Sequence, residues 1–220
     1  MTTLNHYCER LGPGLLAEPV NAVTNAAFLI AAWWIQARAR RLGLGGDPGL
    51  AGLATLAVAI GVGSTLFHTL ATPWALLADV VPILLFQLLF LWLYLRRRTT
   101  LGAAAALLLV ALYLLATLAS RAGPQLLNGS LAYYGPTLVV LLVLGWRELQ
   151  RRQRPQLLLA GGVFSLSLLL RSIDQVVCPW LPVGSHFLWH LLNAVVLALA
   201  AAALMPPASA SAPPAPRTQP

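Results

Sequence analysis

The chain has 220 residues, of which 59% are hydrophobic and 9% are charged. Because a soluble domain carries about 25% charged residues, this composition excludes a soluble globular protein and indicates an integral membrane protein. The net charge of +8 comes entirely from arginine, since the sequence has no lysine. The arginines form short clusters between apolar segments, as in the cytoplasmic loops of membrane proteins, and we therefore predict no nucleic acid binding.

Apolar segments predict an all-α membrane protein, a seven-transmembrane helix bundle over residues 20–205. A helix needs about 20 apolar residues to cross the hydrocarbon core of a membrane. In chain order, the predicted spans cover residues 20–37, 49–70, 74–95, 101–119, 131–146, 156–170 and 184–205. Residues 1–19 form a polar segment without the apolar core of a signal peptide, and residues 206–220, rich in proline, alanine and serine, predict a disordered tail.

The arginine clusters set the predicted orientation of the bundle. They follow the first, third and fifth spans, at Arg38, Arg40 and Arg41, at Arg96, Arg97 and Arg98, and at Arg147, Arg151, Arg152 and Arg154. The alternate loops contain far fewer basic residues. Because basic loops stay in the cytoplasm, the N-terminus is predicted to lie outside and the C-terminal tail inside. No internal repeat is evident, which disfavours an inverted-repeat transporter.

Three of the four histidines lie inside apolar segments. His68 is near the outer end of the second predicted span, and His186 and His190 lie in the outer half of the seventh. A polar group in hydrocarbon is costly without a partner, and residues four apart share one face of a helix. Three histidines at one depth therefore predict a shared zinc ion with an open position for water. The alternative is that each histidine is an isolated packing residue.

Two further polar side chains fall in the same predicted layer. Asp79 lies in the outer part of the third span, and no arginine in the outer half of spans two, three or seven is available to pair with it. A carboxylate beside a zinc-activated water can take and return the proton of that water. Ser64 lies one turn before His68 and shares its face, so it is either a donor to a developing oxyanion or a packing residue.

The N-terminal segment and the loop after the sixth span are predicted to lie on the same side. Glu9, Glu18 and Asn21 offer oxygen ligands suited to calcium, although a solvated segment that caps the first span explains them equally well. Cys8 and Cys178 both fall outside, where disulfides form, and two free thiols are the alternative. For Asp174, pairing with Arg171 and support of the site both remain open.

The chain resembles the alkaline ceramidase family and its wider superfamily of seven-span membrane hydrolases, which includes the progestin and adiponectin receptors. The matching residues occur in order from end to end of the chain: Tyr7-Cys8-Glu9, Glu18-x-x-Asn21-x-x-Thr24-Asn25, Gly61-x-Gly63-Ser64-x-x-Phe67-His68, Asp79, Ile173-Asp174-x-x-x-Cys178 and His186-x-x-x-His190. No single one of these motifs is specific to the family, but the complete set in this order is. The family orientation, with the N-terminus outside, agrees with the distribution of arginines.

The resemblance implies a role for each matching position. His68, His186 and His190 would hold zinc. Asp79 would shuttle the proton of the attacking water, and Ser64 would help to stabilise the oxyanion. The resemblance also implies a disulfide between Cys8 and Cys178, and a calcium site of which Glu9, Glu18 and Asn21 match a part, with His6 where the family has an aspartate.

These residues together predict a zinc-dependent amidase that cleaves a ceramide-like or other N-acyl lipid entering from the bilayer. The alternatives are a receptor or sensor of the same superfamily with structural zinc, and a small proton-coupled transporter. The receptor or sensor should show no turnover, and the transporter should keep its activity when the metal is chelated. The alanine-rich, all-arginine composition points to a bacterial inner membrane, and no obligate protein partner is predicted.

Overall fold

The computed structural model describes residues 4–122 and 129–207, and every regular element in these residues is a helix. In chain order the helices are α1 (Pro19–Thr24), α2 (Ala26–Arg41), α3 (Pro48–Leu70), α4 (Pro73–Arg98), α5 (Ala103–Ser120), α6 (Ser130–Gln150), α7 (Gln156–Ser172), α8 (Asp174–Val177) and α9 (His186–Ala203). Each predicted span falls on one long helix, with α1 and α2 together covering the first. The predicted tail lies outside the described residues from residue 208 onward.

Five helical segments are long and apolar enough to cross a membrane: Pro19–Arg41, which combines α1 and α2, and helices α3, α4, α5 and α9. Helix α7 is apolar but shorter, at 17 residues. Large hydrophobic side chains face outward along these helices, and Leu107 and Leu115 on α5 are each 61% exposed. A continuous apolar exterior of this kind is stable against lipid. The protein is therefore a multi-pass integral membrane protein, as its composition predicts.

Local sequence signals explain where α3 and α4 begin and end. The Asp47 side chain caps α3, because it accepts a hydrogen bond from the Leu50 amide at 2.9 Å. The helix ends at Ala71, whose left-handed backbone (φ 48°) turns the chain towards Pro73 in the first turn of α4. This tight turn places His68, in the last turn of α3, next to the start of α4.

The long helices pack in a ring. Each helix from α2 to α7 contacts its neighbour in chain order, and α9 packs on both α7 and α2, which closes the ring. Apolar side chains of α2, α3, α4, α6, α7 and α9 fill the core. The short helix α1 packs against α3 and α9. The ring therefore brings together ends of α3, α4 and α9 that are far apart in sequence.

The two ends of the ring differ in charge. Arginine clusters occupy the last turns of α2 and α4, and Arg147 lies in the last turn of α6. Arg97 bonds to the Asp47 carboxylate at 2.9 and 3.0 Å, which joins the end of α4 to the start of α3. The opposite end holds the last turn of α3 and the first turn of α9, where the histidines lie. We call these the arginine end and the histidine end.

Helices α3 and α4 approach closely at Gly63. A Cβ atom at this position would collide with the backbone carbonyl of Ala78 on α4. The absence of a side chain at Gly63 therefore permits a contact that places Ser64, the next residue of α3, beside Asp79, the next residue of α4.

We expect Gly63→Ala to force α3 and α4 apart and to lower the free energy of unfolding by about 1–3 kcal/mol, the usual cost of overpacking. Gly162→Ala is the matched control, because a Cβ at Gly162 on α7 meets no atom within 4 Å. Thermal unfolding of both variants in detergent measures the difference. Equal midpoints for the two variants would contradict the close approach at Gly63.

Candidate functional site

Three histidines meet at the histidine end of the ring. His68 on α3 and His186 and His190 on α9 are all buried. Their ring centroids are separated by 5.2 Å (His68 to His186), 4.8 Å (His68 to His190) and 4.7 Å (His186 to His190). One nitrogen of each ring lies within 4.8 Å of the others. The structure thus brings together the three histidines that the sequence places at one depth.

The unpaired nitrogens of this cluster fit a metal ion. Nε2 of His68 and Nδ1 of His186 are buried and have no hydrogen-bond partner among the described residues. Buried polar atoms in native proteins normally have a partner, and three imidazole nitrogens are the donor set of several catalytic zinc sites. The cluster could therefore hold a metal ion such as zinc.

Hydrogen bonds from neighbouring side chains fix two of the rings. The Glu18 carboxylate lies 2.5 Å from Nδ1 of His68. Because an ionised carboxylate only accepts, Nδ1 carries the proton and Nε2 is left without one, so that it could bind a metal ion. Nδ1 of His190 lies 3.0 Å from the Thr24 hydroxyl, whose own proton is donated to the Val20 carbonyl. Nδ1 of His190 is therefore also the donor.

Glu18 is the centre of a buried network around His68. It accepts hydrogen bonds from Nε of Arg10 at 2.5 Å and from the Asn21 side chain at 3.1 Å. Arg10 also donates to the backbone carbonyl of His68 at 2.8 Å. Burial alone would raise the pKa of the Glu18 carboxyl, but the hydrogen bonds from His68, Arg10 and Asn21 outweigh it and lower that pKa. Glu18 is therefore ionised and holds the N-terminal segment against His68.

The N-terminal segment also covers His186. The ring of Tyr7 stacks on the His186 ring, with centroids 3.6 Å apart. Burial raises the pKa of the Tyr7 phenol, so this hydroxyl keeps its proton. The predicted disulfide is confirmed, because Cys8 and Cys178 are bonded and their Cα atoms lie 5.5 Å apart. This bond holds the tyrosine over the cluster.

Asp174 supports the site through backbone contacts. Its buried carboxylate accepts hydrogen bonds from the amides of Cys8 at 2.9 Å, Ser185 at 2.7 Å and His186 at 2.9 Å. These contacts join the N-terminal segment to the first turn of α9. Of the two roles considered for Asp174, they favour support of the site over an ion pair with Arg171.

The predicted catalytic pair lies beside the cluster. Asp79 is about two turns into α4, and Ser64 is one turn before His68 on α3. The Ser64 hydroxyl hydrogen-bonds to the Asp79 carboxylate, and His68 and Arg171 both act on that carboxylate electrostatically. The arrangement therefore places a carboxylate, a hydroxyl and three imidazoles around one region at the histidine end.

The predicted calcium ligands have internal partners. The Glu9 carboxylate accepts hydrogen bonds from the amides of Val20 at 2.7 Å and Asn21 at 2.9 Å, which caps α1. Oδ1 of Asn21 is buried and has no partner in the part of the chain that the structure describes. Because Arg10 is bonded to Glu18, a calcium ion at these residues would compete with that guanidinium.

An apolar cavity lies inside the ring, on the side of the cluster that faces the arginine end. Phe28, Ile60, Tyr134 and Trp189 line it near the histidines. Its volume is about 70 Å³.

Four further residues contact the cluster or its neighbours, and the sequence patterns do not reveal these contacts. They are Tyr7, Arg10, Thr24 and Arg171. Arg10 and Arg171 are charged residues close to apolar spans, and this position in the sequence could have indicated a role at the site. No periodicity indicates that Tyr7 stacks on a histidine, since this contact depends on the path of an irregular segment.

We expect Glu18→Gln to weaken zinc binding about 10–100-fold, because loss of the hydrogen-bond partner of a metal-ligating histidine typically has this effect. Glu148→Gln is the matched control, since Glu148 is equally buried but lies on α6 and accepts a hydrogen bond from the Leu157 amide. Competition with a zinc chelator measures the affinity. Equal zinc affinities in the two variants would show that Glu18 does not orient His68.

The sequence matches a known protein family. The sequence profile of the Ceramidase family matches residues 6–210. The match includes the N-terminal segment from residue 6 onward, the three histidines, Ser64, Asp79 and both cysteines. No curated protein matches the chain. Since the match covers most of its length, the chain belongs to the Ceramidase family, whose members are hydrolases of the amide bond of ceramide.

Proposed function

We propose that the protein is a zinc-dependent intramembrane hydrolase that cleaves the amide bond of ceramide-like or other N-acyl lipids. The observation that carries this proposal is the buried cluster of His68, His186 and His190, with two unpaired nitrogens, beside the Asp79 carboxylate. Membership of the Ceramidase family supports a lipid amide as the substrate.

The three histidines would hold the zinc ion. When bound, zinc supplies a Lewis acid that polarises a carbonyl and makes water nucleophilic near neutral pH. The chain prepares the ligand nitrogens beforehand, because Glu18 orients His68 and Thr24 orients His190. Rings that are already fixed by outer hydrogen bonds lose little freedom when the metal binds.

Asp79 is the proposed proton shuttle. Its carboxylate takes a proton from the attacking water and returns it to the nitrogen of the leaving amine. Ser64 has one hydroxyl proton, which it donates to Asp79 in the resting state. Once Asp79 is protonated, Ser64 is free to donate to the negative charge that develops on the substrate oxygen.

We also propose that α6 and α7 cross the membrane, which gives seven spans. In the ring these two helices lie between α5 and α9, both of which are long and apolar enough to span. The positive-inside rule then places the arginine end in the cytoplasm and the histidine end and N-terminus outside. A disulfide at the histidine end agrees with an oxidising compartment, and a bacterial inner membrane is the proposed location.

The lipid is proposed to enter the ring sideways from the bilayer. Its amide would reach the histidine cluster, and its acyl chain would extend into the apolar cavity lined by Phe28, Ile60, Tyr134 and Trp189. Calcium at Glu9, Glu18 and Asn21 stays a prediction, which the effect of added calcium on thermal unfolding would test.

We expect Asp79→Asn to keep its bound zinc and to lose amide hydrolysis by about 10²–10⁴-fold, the usual contribution of a general acid–base group. Asp47→Asn is the matched control, because Asp47 caps α3 at the arginine end and should leave turnover unchanged. Hydrolysis of N-acyl lipids by purified protein, together with its metal content, measures both effects. Full activity of Asp79→Asn would remove Asp79 from the mechanism.

Chelation of the same samples separates the alternatives. A hydrolase loses turnover when zinc is removed and regains it when zinc is restored. A receptor or sensor with structural zinc binds lipid but shows no turnover, and a proton-coupled transporter keeps its activity without the metal.

A further inference from the structure

Arg171, near the end of α7, is a charged side chain with neutral partners. Its Cζ atom lies 5.4 Å from the Tyr134 ring centroid and 5.5 Å from the Trp189 ring centroid. It donates hydrogen bonds to the hydroxyls of Ser130 and Tyr7. None of the ion pairs among residues 4–122 and 129–207 includes Arg171. A charged side chain that packs against aromatic rings without an ion-pair partner is costly, which favours a functional reason for its presence.

The acidic side chains nearby have other contacts. Asp174, three residues further along the chain, accepts three backbone hydrogen bonds. Asp79 acts on Arg171 electrostatically and accepts a hydrogen bond from Ser64. A guanidinium has five N–H donors, and the two hydroxyl partners of Arg171 leave donors for a ligand.

The position of Arg171 connects the histidine cluster to the apolar cavity. Its partner Tyr7 stacks on His186, with ring centroids 3.6 Å apart. Tyr134 and Trp189, on whose rings the guanidinium lies, both line the cavity. A lipid with its amide at the cluster and its acyl chain in the cavity would therefore bring the groups beside the amide close to Arg171.

We propose that Arg171 binds a carboxylate next to the scissile amide, so that the preferred substrates are N-acyl amino acids and other N-acyl lipids with this anionic group. Arginine suits this role because its planar fork donates two parallel hydrogen bonds to a carboxylate. Contact with the Tyr134 and Trp189 rings restricts the positions that this fork can take. The inference rests on the proposed function for the bond that is cleaved, but carboxylate binding can be measured without turnover.

The test compares two lipids that differ in one group. N-palmitoyl serine carries a carboxylate where N-palmitoyl serinol carries a neutral hydroxymethyl group. Binding of each to the full-length, metal-free protein in detergent is measured from the lipid concentration that gives half-maximal thermal stabilisation. We expect about 10–100-fold tighter binding of N-palmitoyl serine, as is typical of a hydrogen bond to a charged group.

Variants assign this preference to Arg171. We expect Arg171→Gln to abolish it and Arg171→Lys, which keeps the charge but not the fork, to retain part of it. Arg121→Gln is the matched control, because Arg121 also stacks on a tyrosine, with its Cζ 4.9 Å from the Tyr133 ring centroid, and its loss should leave the preference intact. Equal affinity of the unmodified protein for the two lipids would overturn the proposal even if Arg171→Gln fails to fold.

Two further outcomes separate related explanations. The carboxylate of the released fatty acid is the other source of this chemistry, so palmitate is titrated in parallel. If Arg171→Gln weakens palmitate binding but leaves the preference between the two serine-derived lipids, the proposal is overturned. If the preference depends on Arg171 but zinc-loaded protein hydrolyses neither these two lipids nor ceramide, carboxylate binding stands and the hydrolase proposal fails.

Discussion

The site depends on the contacts that the buried carboxylate of Glu18 makes with Arg10 and His68. This carboxylate bonds to each of them at 2.5 Å, and Arg10 in turn binds the His68 carbonyl. A buried ion is stable only when its hydrogen bonds are complete, so this network exists only if the N-terminal segment is folded against the end of α3. The same segment carries Tyr7, which stacks on His186. The positions of His68 and His186 therefore depend on how the N-terminal segment packs against them.

The long helices were predictable from the sequence because they coincide with apolar segments, five of which have the length that a lipid bilayer requires. The helix boundaries differ from the predicted ones by a few residues. Convergence of His186 and His190 was predictable because residues four apart share a helix face. The convergence of His68 with these two histidines was predictable from the common depth of all three in the membrane. The contacts of Tyr7 and Arg10 were not predictable, because they lie in an irregular segment without a period. Arg171 was visible as a charge, but its place between two rings depends on how α6, α7 and α9 pack.

The two ends of the ring serve different needs. The arginine end has surface ion pairs such as that between Arg97 and Asp47. These pairs join helix ends but contribute little to the free energy of folding. The histidine end has buried charges, each with specific partners, and a disulfide that holds the N-terminal segment in place. Polar chemistry inside a membrane protein requires such a closed arrangement, since lipid offers no hydrogen bonds to an unpaired group. An apolar cavity directly beside this polar layer suits a substrate with one polar bond and a long hydrocarbon chain.

The most direct test of the account is the metal content of the detergent-purified protein, measured by elemental analysis beside a His186→Ala/His190→Ala variant. The account predicts about one zinc per chain, the content of a single three-histidine site, and loss of that zinc in the variant. A well-folded protein that contains no zinc, even after zinc is supplied, would contradict it. The histidines would then have to be explained as packing residues or as a proton relay.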